Sequence, residues 1–287
     1  MTERLDSYGL MKPANTYLCF FTHLLPIWLA AASPAMALAE GNSSQTSLVN
    51  YSDTSITLLH GTGFEIDPHL QTSVTVEHFS DLAFGDLFAF IDYYKFHGAG
   101  TDWYGEFSPR LSLGKISGTD MSFGLFHSDY LIVEDLLVAG TYERGKKPDQ
   151  TEAFLLGLGF DLKFTMLELI GYEGFQYANI NLYARKDPGY GFEDIQLTFA
   201  AAYPFAIGET KFLADGFIDY IAGLGPKAEN LHFVPQMKLD IGNYWNRPDQ
   251  TYLGFEYDYW SNKFGVADSP ALDSDQHAVS AILQVHF

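Results

Sequence analysis

His277-Ala278-Val279-Ser280-Ala281-Ile282-Leu283-Gln284-Val285-His286-Phe287 closes the chain, and its reading decides the fold. In an extended segment Val279, Ala281, Leu283, Val285 and Phe287 share one face, while Ser280, Gln284 and His286 fall on the other. That two-residue period is the mark of a strand with one apolar side. A tilted strand crosses a bilayer in about 9 to 11 residues. An apolar-out, polar-in segment of this length, ending on an aromatic residue, predicts a strand of a transmembrane β-barrel.

Similar patterns recur upstream, near residues 55–62, 71–79, 86–97, 103–113, 121–134, 151–163, 165–178, 193–205, 209–222, 228–241, 250–261 and 276–287. The expectation is an all-β, antiparallel barrel of about 12 strands, an even number that returns both ends to the periplasmic side. Gly114 to Asp120 reads as a periplasmic turn. Asp135 to Gln150, Asn179 to Phe192 and Asn262 to Asp275 read as outer loops from their Gly, Pro, Asp and Lys content. Trp103, Tyr104, Tyr203, Tyr220, Tyr244, Trp245 and Tyr257 to Trp260 are placed in two interfacial girdles. A soluble β-sandwich would also alternate, but it would need neither those rings nor a secretory leader.

Such a leader is predicted at the other end. No charged residue lies between Pro13 and Ala39, and the apolar run from Tyr17 to Leu29 leads into Ala35-Met36-Ala37-Leu38-Ala39, an h-region followed by an A-x-A cleavage site. Glu3, Arg4 and Asp6 make a poor n-region, so Met11-Lys12 is an alternative start. The expected organisation is a signal peptide at 1–39, a short periplasmic segment at 40–54 and the barrel at 55–287. Cleavage removes Cys19, the only cysteine, which excludes a disulfide framework, a thiolate metal site and a Cys nucleophile. With 287 residues and a formal net charge of −20, the chain is also a poor nucleic-acid binder, because that affinity rests on Lys and Arg.

Charge tells which parity faces the lumen, because Arg or Lys on the lipid face near the midplane costs about 2 to 4 kcal/mol. Asp92 turns Phe88, Phe90, Tyr94 and Phe96 inward. Ser73, Thr75 and Glu77 face inward on the preceding strand, and Tyr104, Glu106, Ser108, Arg110 and Ser112 on the following one. Asp161, Lys163 and Glu168 come next, then Lys211, Asp215, Phe217 and Asp219. His232, Gln236, Lys238 and Asp240 follow, and last Tyr252, Glu256 and Asp258. Segment 121–134 resists this assignment, since Asp129 and Glu134 have opposite parity. A mixed, mildly acidic lumen disfavours phosphorylated anions. An aromatic row beside hydrogen-bonding groups suits a flat, uncharged, polar-edged solute such as a nucleoside.

The chain resembles the nucleoside-specific channel-forming outer-membrane family, the Tsx family with its OmpK-type members. The resemblance is carried by Gly105-Glu106-Phe107-Ser108-Pro109-Arg110-Leu111-Ser112-Leu113, by Gly118 to Gly124, by Phe154 to Asp161, by Tyr252 to Tyr257 and by Asn262-Lys263-Phe264-Gly265. It implies a monomeric twelve-stranded barrel passing nucleosides by facilitated diffusion, and bacteriophage binding in some relatives. It also implies that Phe64, placed just after the first strand, lines the channel; the next residue, often glycine in the family, is Glu65 here.

Three function classes follow. A passive channel needs several weak sites and no covalent chemistry; its expected partners are outer-membrane lipid, small polar solutes and, through Phe287, the barrel-assembly machinery. A hydrolase would need a Ser and a His paired on the outer surface, and His127 lacks a convincing Ser partner. A non-conducting adhesin or phage-receptor barrel is the third. The nine His residues do not fall into metal-ligand spacings, so neither metal nor cofactor is expected.

Overall fold

The computed structural model describes residues 47–127, 130–146, 151–169, 174–187 and 191–287; the expected signal peptide and Asp129 lie outside them. The chain forms a closed antiparallel barrel. Its long strands are β1 (Val49–Thr62), β2 (Leu70–Leu82), β3 (Gly85–Phe96) and β4 (Gly100–Ser112). A helical turn α1 (Leu113–Ser117) and a two-residue strand β5 (Phe123–Gly124) precede β6 (Leu131–Gly145) and β7 (Glu152–Phe164). After a second turn α2 (Thr165–Leu169) come β8 (Tyr177–Asp187), β9 (Gly191–Ile207), β10 (Thr210–Ile221), β11 (Asn230–Asp240), β12 (Thr251–Ser261) and β13 (Gln276–His286).

Each long strand pairs with its sequence neighbours, β4 pairs with β6, and β1 pairs with β13, so twelve long strands close the ring with no free edge. At the seam Ser55 faces His286 and Thr62 faces Val279. The Phe287 N–H donates to the Thr54 carbonyl at 2.9 Å, which places the start of β1 and the end of β13 at one rim, here the terminal end; the opposite rim is the distal end.

The alternation of β13 holds. Ala278, Ser280, Ile282 and Gln284 are buried inward, whereas Val279 and Leu283 are exposed on the outside. On the outer wall the rings gather near the rims. Tyr203, Phe205 and Phe212 follow one another at centroid separations of 6.1 and 5.2 Å toward the terminal end. Tyr257 and Tyr259 stack at 6.4 Å toward the distal end.

Several expectations are corrected. β1 starts at Val49, so 49–54 belongs to the barrel wall. The strand expected over 121–134 is only β5, a 3-10 turn Leu125–His127 and the start of β6. The register shifts between Val133 and Asp135, so Glu134 stands at the irregularity itself; Asp129, the other half of the parity conflict, lies outside the described residues. The stretches from Asp135 and from Asn179, read as outer loops, are largely β6, β8 and β9. The segment 165–178 is mostly α2 and its connection rather than strand, so Glu168 sits in a helical turn. Tyr104 and Trp260 line the interior and leave the girdle.

Candidate functional site

A cavity of about 1690 Å³ runs through the barrel, bounded by Asp53, Lys115 and His286 at the terminal end and by Phe64, Asp67 and Phe264 at the distal end. Its wall carries Glu77, Phe88, Phe90, Asp92, Tyr94, Glu106, Arg110, Asp215, Lys238, Glu256 and Asp258, as their parity requires. Lys211 is the exception. It has inward parity, but it stands one residue into β10 beside the Gly208–Glu209 turn and is exposed at the rim. Asp240 and Ser112 also sit below the cavity: Asp240 accepts from the Asn243 and Asp249 N–H groups at 3.0 Å each, and Ser112 caps α1.

The cations are taken up by the wall. Arg110 on β4 forms a bidentate pair with Asp86 on β3, at 2.8 Å for each bond, and reaches Asp161 on β7 at 2.8 Å. Arg185 on β8 grips both Glu143 oxygens at 2.7 Å, donates to Gln196 at 2.7 Å and reaches Asp187 at 3.0 Å. Lys238 on β11 bonds Asp215 at 2.6 Å and Gln284 at 2.9 Å, and Gln284 donates to Ser55 at 3.3 Å, so this chain of contacts crosses the seam. Lys263 is buried at the distal mouth, where it bonds Gln276 at 2.6 Å, Asp67 at 3.0 Å and the Glu65 carbonyl at 3.1 Å. That contact draws the loop carrying Phe64 onto the loop carrying Phe264, with the ammonium 6.0 Å and 5.0 Å from their rings.

Carboxylates remain in excess. Eighteen Asp and Glu line the cavity against eight Lys and Arg, so the interior is more acidic than the parity assignment alone gives. Among the described residues Glu77, Asp92, Glu106, Asp219 and Glu256 lie outside every ion pair. Most are held by neutral donors instead. Tyr94 donates to Asp92 at 2.7 Å, Tyr104 to Glu106 at 2.7 Å, Gln236 to Glu256 at 2.7 Å and Gln196 to Asp219 at 3.2 Å, and His232 meets Asp258 at 3.1 Å.

Aromatic rings stand on opposite walls. Phe88 and Phe90 lie 5.8 Å apart on β3, with Tyr104 of β4 at 5.9 Å from Phe90, and Tyr94 stacks on Phe96 at 6.3 Å. In the ring order β10 stands six places from β3 in either direction. There Phe217 meets His232 edge-on at 5.0 Å, His232 stacks on Trp260 at 3.8 Å, and Trp260 packs on Phe264 at 5.5 Å. The sequence reading missed this second row as a unit, and it missed Arg185 and Glu143 because their strands were taken for loops; Gln196 fell in the expected strand 193–205, whose inward face was not assigned. Lys263 was quoted only within a motif; its burial comes from two loops far apart in sequence.

The inward assignment of β12 has a direct check. In a chain lacking Cys19, Glu256→Cys is expected to react with a small water-soluble thiol reagent, while Phe255→Cys, on the exposed apolar face, is expected to stay unlabelled in the membrane. The reverse labelling would mean that β12 is inside out.

Among curated proteins, the chain is 27% identical over 207 residues to outer membrane protein OmpK of Vibrio parahaemolyticus serotype O3:K6, covering 66% of this chain and 70% of the relative. A second Vibrio parahaemolyticus OmpK is 26% identical over 201 residues, covering 66% and 68%. Among solved structures, a KdgM porin aligns with a TM-score of 0.44 at 9% identity, covering 81% of this chain and 99% of that one. The model of the family described as nucleoside-specific channel-forming protein, Tsx, matches residues 50–287.

Proposed function

We propose that this chain, which belongs to the Tsx family of nucleoside-specific channel-forming proteins, passes nucleosides or similar small polar solutes through its lumen by facilitated diffusion. It is an integral outer-membrane β-barrel channel; the solute is the inferred part. The observation that carries the reading is the pair of aromatic rows on opposite walls, β3 with β4 and β10 with β12, beside carboxylates held by neutral donors. A planar base can lie against Phe88, Phe90 or Trp260 while ribose hydroxyls donate to Asp92, Glu106 or Glu256. No step requires a nucleophile, metal or cofactor, and weak contacts distributed along the lumen suit a channel that must release what it admits. We also read the terminal rim as periplasmic, Phe287 as the residue presented to the assembly machinery, and one chain as one pore.

Liposome swelling with nucleosides, nucleoside monophosphates and pentoses tests the solute. Base stacking on one ring is worth about 1 to 3 kcal/mol, so Phe88→Ala or Trp260→Ala is expected to lower nucleoside flux at low concentration by about tenfold. Pentose flux and small-ion conductance should stay equal or rise. Monophosphates should pass poorly in all variants, since the acidic wall repels them. Equal loss of nucleoside and pentose flux would reduce the rings to packing residues and remove the support for nucleosides.

A further inference from the structure

The outer wall of β1–β4 has a charge distribution opposite to that of the chain. Every carboxylate in these four strands, Asp53, Glu77, Asp81, Asp86, Asp92, Asp102 and Glu106, lines the cavity. The outward positions near the distal rim are basic. His60 of β1 is paired in register with Thr72 of β2, Thr72 with Lys95 of β3, and Lys95 with Thr101 of β4. The Thr72 hydroxyl bridges His60 Nδ1 at 2.8 Å and His97 Nε2 at 3.1 Å, with the two imidazoles edge-on at 5.7 Å. Lys146, just past β6, donates to the Thr101 carbonyl at 3.3 Å. His60, Lys95, His97 and Lys146 are all exposed, and none is in an ion pair among the described residues.

Two residues further from the rim runs a parallel row, Leu58, Val74 and Tyr93, also in register and exposed. Apolar side chains on the outside of a membrane barrel face acyl chains. The basic row therefore stands at the height where acyl chains end and headgroups begin. Threonine uses one ring nitrogen of each imidazole, which leaves His60 Nε2 and His97 Nδ1 for a ligand beside two ammonium groups.

From this juxtaposition we infer that His60, Lys95, His97 and Lys146 form an outward-facing site for the phosphate of a phosphorylated lipid in the outer leaflet. The ammonium groups supply charge, the imidazole that accepts the Thr72 proton turns its own N–H to a phosphate oxygen, and the apolar row below holds the acyl chains. The site shares no residue with the lumen and does not depend on which solute passes.

Native mass spectrometry of the purified barrel in detergent, with dimyristoyl phosphatidic acid or dimyristoyl phosphatidylcholine, tests the site. The wild type is expected to retain phosphatidic acid in preference to phosphatidylcholine. A surface lysine near a charged headgroup is worth about 1 kcal/mol, so Lys95→Ala and Lys146→Ala are each expected to weaken retention about fivefold, and Lys95→Arg to preserve it. Heat-modifiable mobility on gels confirms that each variant is folded. Three results would overturn the site: equal retention of the two lipids by the wild type, wild-type retention by the double alanine variant, or release of bound lipid by inorganic phosphate at the lipid's own concentration. The last would show that the acyl row contributes nothing.

Discussion

A chain that lacks Phe287, or carries Asp there, is expected to accumulate unfolded in the periplasm, with no heat-modifiable barrel in the outer-membrane fraction. The expectation rests on what the ring does not do. Phe287 is 75% exposed, and only its N–H is engaged, on the Thr54 carbonyl at 2.9 Å. It lies beyond the last paired residue of β13, and a ring so exposed contributes little to the packing of the wall. Recognition of this ring by the assembly machinery, as proposed above, separates its effect in the cell from its effect in detergent. Phe287→Asp refolded from urea into detergent should therefore form a barrel of nearly normal stability. Failure in detergent as well would make the ring an ordinary packing residue, and normal amounts in the outer membrane would remove its role altogether.

Arg185→Met should have the largest effect on stability itself. The guanidinium and the Glu143 carboxylate are almost fully buried, with side chains 9% and 6% exposed, and Asp187 at 3.0 Å is a second acidic partner. Removing one partner of such a pair leaves an uncompensated buried charge, a loss of about 3 to 5 kcal/mol. Equilibrium unfolding in detergent with guanidinium chloride measures it as a lowered midpoint. Combining Arg185→Met with Glu143→Gln should restore most of the loss, because the buried carboxylate is then gone. If the double variant is no more stable than Arg185→Met, the damage comes from lost packing and the lost bond to Gln196, and the ion pair is not what holds β6 to β8 there.

Where one side of a strand meets lipid and the other meets water, the sequence itself shows the alternation. β2, β3, β4, β10, β12 and β13 were legible for that reason, and with them Asp92, Glu106, Asp215, Glu256 and the phenylalanines of β3. β6 and β8 were not. Gly140-Thr141-Tyr142-Glu143-Arg144-Gly145 and Tyr183-Ala184-Arg185-Lys186-Asp187 are as polar as any turn. They are strands because Glu143 and Arg185 neutralise each other across β7, and a pairing between non-neighbouring strands leaves no trace in local periodicity. The same limit hid the Arg110 contact with Asp161. Lys211 failed differently: parity gives direction but not height, and a residue at the rim points inward over nothing.

The seam between β1 and β13 also governs when the protein can fold. Gln284 and Ser55 are 229 residues apart in sequence, and His286 and Asp53, which meet at 2.7 Å, are 233 apart. The contacts that close the ring are thus the longest-range ones the barrel contains. A growing chain cannot collect them until β13 has been made. Up to that moment it is an open sheet with two unpaired edges, and long-range pairing of this kind is slow and prone to aggregation. β13 must therefore be made before the ring can close, and until then the exposed edges have to be kept from pairing with anything else.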